Sequence, residues 1–296
     1  MKGNCEIKGL IPAVITVFDD AFNVDYEATV ENIRYYLECG CAGVLVSGGT
    51  GESTSLTREE KKRLIVEARK VVPEDKILMA GTGAPGTADT LALSQDAKEA
   101  GADVLLVISP FVYVPHKEGV IRHFEAVSEI GLPIIIYNTP PLTVDIDADL
   151  FTRLIQIENV VGIKESGGNL QLFADMFAKG NHDFIWCSGL DSLFFPALVM
   201  GADAMILALG NIAPKELVAV YDAIQAGDLE TARAIWLKLV PIGKTMLEPF
   251  NFAGFVKEAV RLLGRPSSPP RPPICPATED DCRKVREALK FAGLLE

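Results

Sequence analysis

Runs of consecutive apolar residues, many of them β-branched, recur eight times along the chain, each followed by a polar turn and a helix-like stretch. They cover residues 10–17, 43–47, 77–80, 104–108, 134–137, 160–163, 184–187 and 204–209. Most are apolar at every position instead of alternating, which is the pattern of strands buried on both faces of a sheet. Strands alternating with helices predict a parallel sheet.

The intervening segments carry helix signals. Thr57-Arg58-Glu59-Glu60 reads as a capping box, and Leu64, Ile65, Ala68, Val71 and Val72 then recur at helical spacing on one face. Gly40, Gly101 and Gly201 each stand where a helix stops, three positions before the next apolar run begins. Eight strands are the number that closes a (β/α)8 barrel, so an α/β TIM barrel is expected in preference to an open doubly wound sheet. From Pro214 the pattern changes. Helical stretches at 216–226, 229–240 and 255–263 have no strands between them. The proline-rich segment 265–276 is expected to be extended, and a last helix follows over about 278–294. The predicted organisation is a barrel over 1–213 and a helical C-terminal extension over 214–296, packed on the barrel.

Composition narrows the class. The chain has 296 residues, 49% of them hydrophobic, enough for a large single core. Its net charge of −12 would be repelled by a nucleic-acid backbone, and no basic run suggests an anionic membrane. The six cysteines, at 5, 39, 41, 187, 275 and 282, form no CxxC pair and read as reduced thiols. The N-terminal stretch MKGNCEIKGL has no long apolar segment, so no leader is expected, and the compartment reads as cytoplasmic.

In a barrel, chemistry gathers at the C-terminal ends of the strands. Those ends hold Ser47-Gly48-Gly49-Thr50-Gly51-Glu52, Ser109-Pro110, Tyr137-Asn138, Lys164-Glu165-Ser166 and Ser188-Gly189. Lys164 closes the apolar run Val160-Val161-Gly162-Ile163. Burial at that point favours the neutral amine, the form that attacks a carbonyl carbon to make a Schiff base. The other reading is an ion pair with a nearby strand-end carboxylate, or an exit to solvent. Tyr137 ends a similar run and reads either as a proton relay beside an iminium or as an ordinary core tyrosine. The glycines of 48–52 either let backbone N–H groups approach a carboxylate or phosphate, or make a tight turn before a helix. Gly81-Thr82-Gly83-Ala84-Pro85-Gly86 matches a dinucleotide fingerprint literally, but Pro85 removes an amide donor and no acidic partner follows. His116, His123 and His182 are scattered, so neither a metal nor an organic cofactor is expected.

Taken together, the strand-end motifs resemble those of the dihydrodipicolinate synthase / N-acetylneuraminate lyase superfamily. Gly48-Gly49-Thr50-Gly51-Glu52 is similar to its G-x-T-G-E loop, Tyr137-Asn138-Thr139-Pro140 to its Y-N-x-P motif, and Gly162-Ile163-Lys164-Glu165-Ser166 to its G-x-K-[ED]-S segment. Ala80-Gly81-Thr82-Gly83 matches as well. The order and spacing agree from about residue 8 to the end. The resemblance implies a class I aldolase or lyase on a (β/α)8 barrel, assembled as a homodimer or homotetramer. Lys164 would form the Schiff base with pyruvate or another 2-oxo acid, and Tyr137 would relay protons. The Gly49 and Thr50 amides and the Thr50 hydroxyl would hold the carboxylate, and Ile206 would pack on the substrate.

Three departures bear on the second substrate. The family's synthases carry a hydroxyl residue where this chain has Gly49, a tyrosine reaching across the dimer where it has Val112, and an arginine where it has Leu142. Tyr113, one place on from Val112, is the nearest stand-in for that tyrosine. Leucine offers no fork to a carboxylate, a loss on the order of 1.5–3 kcal/mol. The expectation is therefore cleavage or dehydration of a 2-keto-3-deoxy or hydroxy-oxo acid, with dihydrodipicolinate synthase activity on pyruvate and aspartate semialdehyde as the runner-up. A reading from another class, also prompted by the missing hydroxyls, is a non-catalytic sensor of 2-oxo acids.

Overall fold

The structure is a computed structural model that describes residues 7–140, 142–244 and 252–296. Cys5 and most of the N-terminal stretch read for a leader lie outside the described residues. Eight parallel strands form the sheet: β1 Gly9–Leu10, β2 Gly43–Val46, β3 Ile77–Gly81, β4 Val104–Ile108, β5 Ile134–Asn138, β6 Val160–Glu165, β7 Ile185–Ser188 and β8 Ala204–Met205. From β2 to β8 each pairs with the next, and β1 pairs with β8. The ring closes where Ala13 bridges Leu45 and the N–H of Val14 donates to the Leu45 carbonyl at 2.9 Å. The chain is therefore a (β/α)8 barrel followed by further helices.

Six strands lie within one or two residues of the apolar runs that predict them. β1 and β8 are much shorter than their runs. Residues 11–14 still follow β8, Ile11 N–H donating to Met205 O at 2.8 Å and Ala13 N–H to Leu207 O at 3.0 Å, while the N–H that Pro12 lacks is missing from the side that meets β2. After β8 the backbone turns into a single 3₁₀ turn at Leu209–Asn211.

The helices are α1 Tyr26–Glu38, α2 Arg58–Arg69, α3 Thr87–Glu99, α4 Lys117–Ser128, α5 Ala148–Leu154, α6 Gln171–Ala178, α7 Phe194–Val199, α8 Pro214–Gln225, α9 Leu229–Ile242, α10 Phe252–Leu262 and α11 Glu279–Ala292. Thr57 and Glu60 form the capping box of α2, which buries Leu64, Ile65 and Ala68. Gly40, Gly101 and Gly201 adopt φ of 91°, 92° and 106°, the left-handed region that ends a helix at a residue without Cβ. α8 follows β8 and packs on β1, completing the alternation of strand and helix. α9 packs on α8, and α11 packs on α9 and α10. Residues 265–276 hold neither helix nor strand, as the proline content predicts. No helix of the described residues is long and apolar enough to cross a membrane.

The strands bury both faces, for two reasons visible in the packing. Val44, Val46, Leu78, Ala80, Leu105, Val107, Ile134, Ile136 and Ile163 join the cluster between sheet and helices. Leu45, Met79, Leu106, Ile135, Val161, Cys187, Ala204 and Ile206 form a second cluster, which fills the bore. Full burial of such a side chain is worth roughly 1.5–3 kcal/mol, so the two faces together drive closure.

Candidate active site

Alternation along β6 brings Lys164 to the bore. Ile163 belongs to the outer cluster, so its neighbour faces inward, next to Cys187 of the bore cluster, its register partner on β7. On the other side its register partner is Tyr137 of β5, which packs on the same cluster. Lys164 is 7% exposed and makes no ion pair among the described residues. Its Nζ lies 4.4 Å from the centre of the Tyr137 ring. The nearest carboxylate in sequence is engaged elsewhere: Glu165 accepts the N–H groups of Gly167 and Gly168 at 2.6 and 3.1 Å. Burial holds the Glu165 carboxyl above its ordinary range, with those amides opposing the shift. The reading of Lys164 as half of a strand-end ion pair, or as a solvent-facing lysine, is thus not what the fold makes.

The lysine's stem lies against Gly189, just past β7. A Cβ on Gly189 would stand 2.7 Å from Lys164 Cε and 2.8 Å from its Cγ. It would also meet the Ser166 hydroxyl, which donates to the Gly189 carbonyl at 2.9 Å. The sequence placed Gly189 at a strand end without a function; its position, but not its contact, was visible there.

Diametrically across the barrel, four strands away, the loop after β2 presents a different chemistry. Ser47 and Glu52 take φ of 56° and 58°, left-handed values that cost roughly 1–3 kcal/mol for residues bearing a Cβ. Between them, the N–H groups of Gly49 and Thr50 have no acceptor among the described residues. Gly49 is exposed and Thr50 is buried. The loop is tied to β1's continuation by the Thr16 hydroxyl, which donates to the Gly51 carbonyl at 2.7 Å. A Cβ on Gly51 would come within 2.8 Å of the Val14 carbonyl, so only glycine permits this approach. Unengaged amides on a constrained loop are a ready site for a carboxylate.

Ile206, on the bore side of β8, is fully buried. The remaining sequence-derived positions are not drawn into the bore. Leu142 is 57% exposed, Val112 75% and Tyr113 90%. Val112 has φ 73°, a strained value for a β-branched residue. Around the mouth, Ser47 Oγ, Ser109 Oγ and Asn138 Nδ2 are buried without a hydrogen-bond partner among the described residues, a feature for which sequence has no signal.

Comparison with known proteins agrees with this fold. The family model of the dihydrodipicolinate synthetase family matches residues 6–292. A 4-hydroxy-tetrahydrodipicolinate synthase of Methanopyrus kandleri is 37% identical over 294 residues, covering 98% of both chains. YagE, a prophage protein of E. coli K12 belonging to the dihydrodipicolinic acid synthase family and solved in complex with pyruvate, superposes with a TM-score of 0.92. It is 31% identical and covers 98% of this chain and all of its own. The dihydrodipicolinate synthase of Thermotoga maritima gives the same TM-score, identity and coverage.

Proposed function

The chain belongs to the dihydrodipicolinate synthetase family of enzymes, and on that premise we propose that it is a class I lyase whose Lys164 forms a Schiff base with pyruvate or a closely related 2-oxo acid. The observation that carries this is the buried amine over the Tyr137 ring, without an ion pair among the described residues, on a strand four places round the barrel from the loop with the unengaged Gly49 and Thr50 amides.

In this mechanism the Gly49 and Thr50 amides, with the Thr50 hydroxyl, receive the substrate carboxylate and set its ketone towards Lys164. The neutral amine adds to the ketone carbon, water leaves, and the iminium withdraws electrons from the adjacent carbon. Loss of a proton from that carbon gives an enamine, which attacks an aldehyde carbonyl; run backwards, the same steps cleave a C–C bond. Tyr137 moves the protons. Ile206 excludes water from the side of β8. Hydrolysis of the final iminium restores Lys164.

For the second substrate, the names of the relatives support 4-hydroxy-tetrahydrodipicolinate synthesis from pyruvate and aspartate semialdehyde. This support moves the synthase reading ahead of cleavage or dehydration of a 2-keto-3-deoxy or hydroxy-oxo acid, which the sequence alone placed first. The latter retains one specific observation in its favour: Leu142, exposed at the mouth, carries no charge for an aldehyde's carboxylate. Assembly as a homodimer or homotetramer in the cytoplasm belongs to the same proposal. It is supported by the exposed apolar side chains of Val112, Tyr113, Val114 and Leu142, and sedimentation velocity tests it.

The deciding experiment has two arms. Borohydride with pyruvate, followed by intact mass, is expected to add one pyruvate-derived group to the wild type and none to Lys164→Ala; an adduct surviving in the variant refutes the assignment. Turnover of pyruvate with aspartate semialdehyde is then compared with retro-aldol assays. In the synthase reading Leu142→Arg improves kcat/KM for aspartate semialdehyde about tenfold or more. Turnover confined to 2-keto-3-deoxy acids, with Leu142→Arg neutral, establishes the other reading.

A further inference from the structure

Glu52 closes the carboxylate loop, but its own carboxylate is buried against the C-terminal part of the chain. One oxygen pairs with Nζ of Lys257 on α10, the two side chains being 0% and 2% exposed. The other accepts the backbone N–H of Arg271 at 2.7 Å. Lys257 Nζ also lies 4.3 Å over the Phe18 ring and reaches the Pro269 carbonyl at 3.3 Å. Phe18 N–H donates to Ser268 Oγ at 2.9 Å. The Arg271 guanidinium holds both oxygens of Glu60 on α2, each at 2.9 Å, and the Ser55 carbonyl at 2.6 Å. The proline-rich segment thus straps the loops that follow β1 and β2.

We infer that the buried Lys257–Glu52 pair, together with Arg271, sets the position of the Gly49 and Thr50 amides, making Lys257 a positioning residue for 2-oxo-acid binding from outside the barrel strands. The inference rests on the proposed role of that loop. Its physical basis is proximity and constraint. Glu52 N–H donates to the Gly49 carbonyl at 3.0 Å, so the strained φ at Glu52 and the orientation of the Gly49–Thr50 peptides are one rigid turn. Thr16 holds one side of that turn and Lys257 the other. A binding constellation works only when held to about 0.5 Å. Without its cation, the Glu52 carboxylate is a buried unpaired charge, which has to reach water or take up a proton. Either event releases the turn.

The pair also carries a pH dependence. Burial pulls Lys257 down to about 8, with Glu52 opposing that shift and Arg271 adding to it. The charged groups facing its Nζ are Glu52 from the loop after β2 and Arg271 from the strap, with Glu60 of α2 behind the arginine; Phe18, Ser268 and Pro269 are neutral. Lys257 is therefore charged at pH 7 and largely uncharged at pH 9, where the turn loses its anchor.

The test measures the pyruvate concentration giving half-maximal borohydride-trapped adduct, with kcat and KM in turnover, for wild type, Lys257→Met and Lys257→Arg at pH 7 and 9. Lys257→Met is expected to raise half-saturation about tenfold or more at pH 7 while kcat changes much less. Wild type is expected to weaken between pH 7 and 9. Lys257→Arg keeps its charge and is expected to hold pyruvate equally at both. A folded Lys257→Met with unchanged half-saturation overturns the inference, as does an alkaline loss in Lys257→Arg equal to that of wild type. Should neither variant fold, the wild-type profile decides: weakening at pH 9 supports the inference and a flat profile overturns it. Wild type that forms no adduct at all refutes instead the Schiff-base reading itself.

Discussion

Lys164 on β6 and Tyr137 on β5 are register partners, and the lysine's Nζ sits over the face of the tyrosine ring at 4.4 Å from its centre. Adjacent parallel strands thus hold amine and phenol side by side through backbone pairing. Such a site is rigid before substrate arrives, which is what a reaction limited by orientation requires.

That relationship separates the two roles. Tyr137→Phe keeps the ring under the amine and removes only the hydroxyl. The variant is expected to form the pyruvate adduct at near wild-type levels while kcat falls about 10²- to 10⁴-fold. Trapping and turnover on the same preparation check this; unchanged turnover would remove Tyr137 from proton transfer.

Gly189 is expected to be intolerant of any side chain. In Gly189→Ala the new Cβ meets the Lys164 stem and the Ser166 hydroxyl, and overpacking of this kind costs about 1–3 kcal/mol. Because the displaced atoms include the lysine's own carbons, the rate of adduct formation should drop more than tenfold even at temperatures where the variant is fully folded. Stability that falls with an unaltered adduct rate would make Gly189 a purely structural residue.

His123 on α4 gives a pH signature independent of catalysis. It is 2% exposed, its Nδ1 lies 2.9 Å from the Thr87 hydroxyl, and burial holds its pKa down at about 4. The unfolded chain protonates this imidazole near 6.5, whereas the folded chain does so only near 4. The unfolded state therefore binds the extra proton in that window, and stability present above pH 6.5 is lost as pH falls towards 4, on the order of 3 kcal/mol in total. Urea denaturation at pH 7 and 5 should show a smaller loss in His123→Gln than in wild type. Equal losses would mean that the imidazole does not stay neutral in the fold.

Much of this was readable from the chain. The strands of the bore announce themselves because burial on both faces demands uninterrupted apolar residues, and the α2 cap because Thr57 and Glu60 satisfy each other's backbone within one turn. Lys164 stood out as the lysine that ends the run Val160–Ile163. The shortened β1 was missed because hydrophobicity does not register the hydrogen-bond donor that Pro12 lacks.

What the sequence determined alone was therefore what is set by neighbours a few residues apart: the alternation of strand and helix, the helix ends, and which polar residues stand at the strand ends. Only the tertiary structure decided that Lys164 has no carboxylate partner among the described residues, that Gly189 touches it, and that Glu52 is held by Lys257, 205 positions further along. Those relations come into being when the sheet closes and the C-terminal strap crosses it. Partner choice over such separations depends on three-dimensional shape, and no local periodicity encodes it.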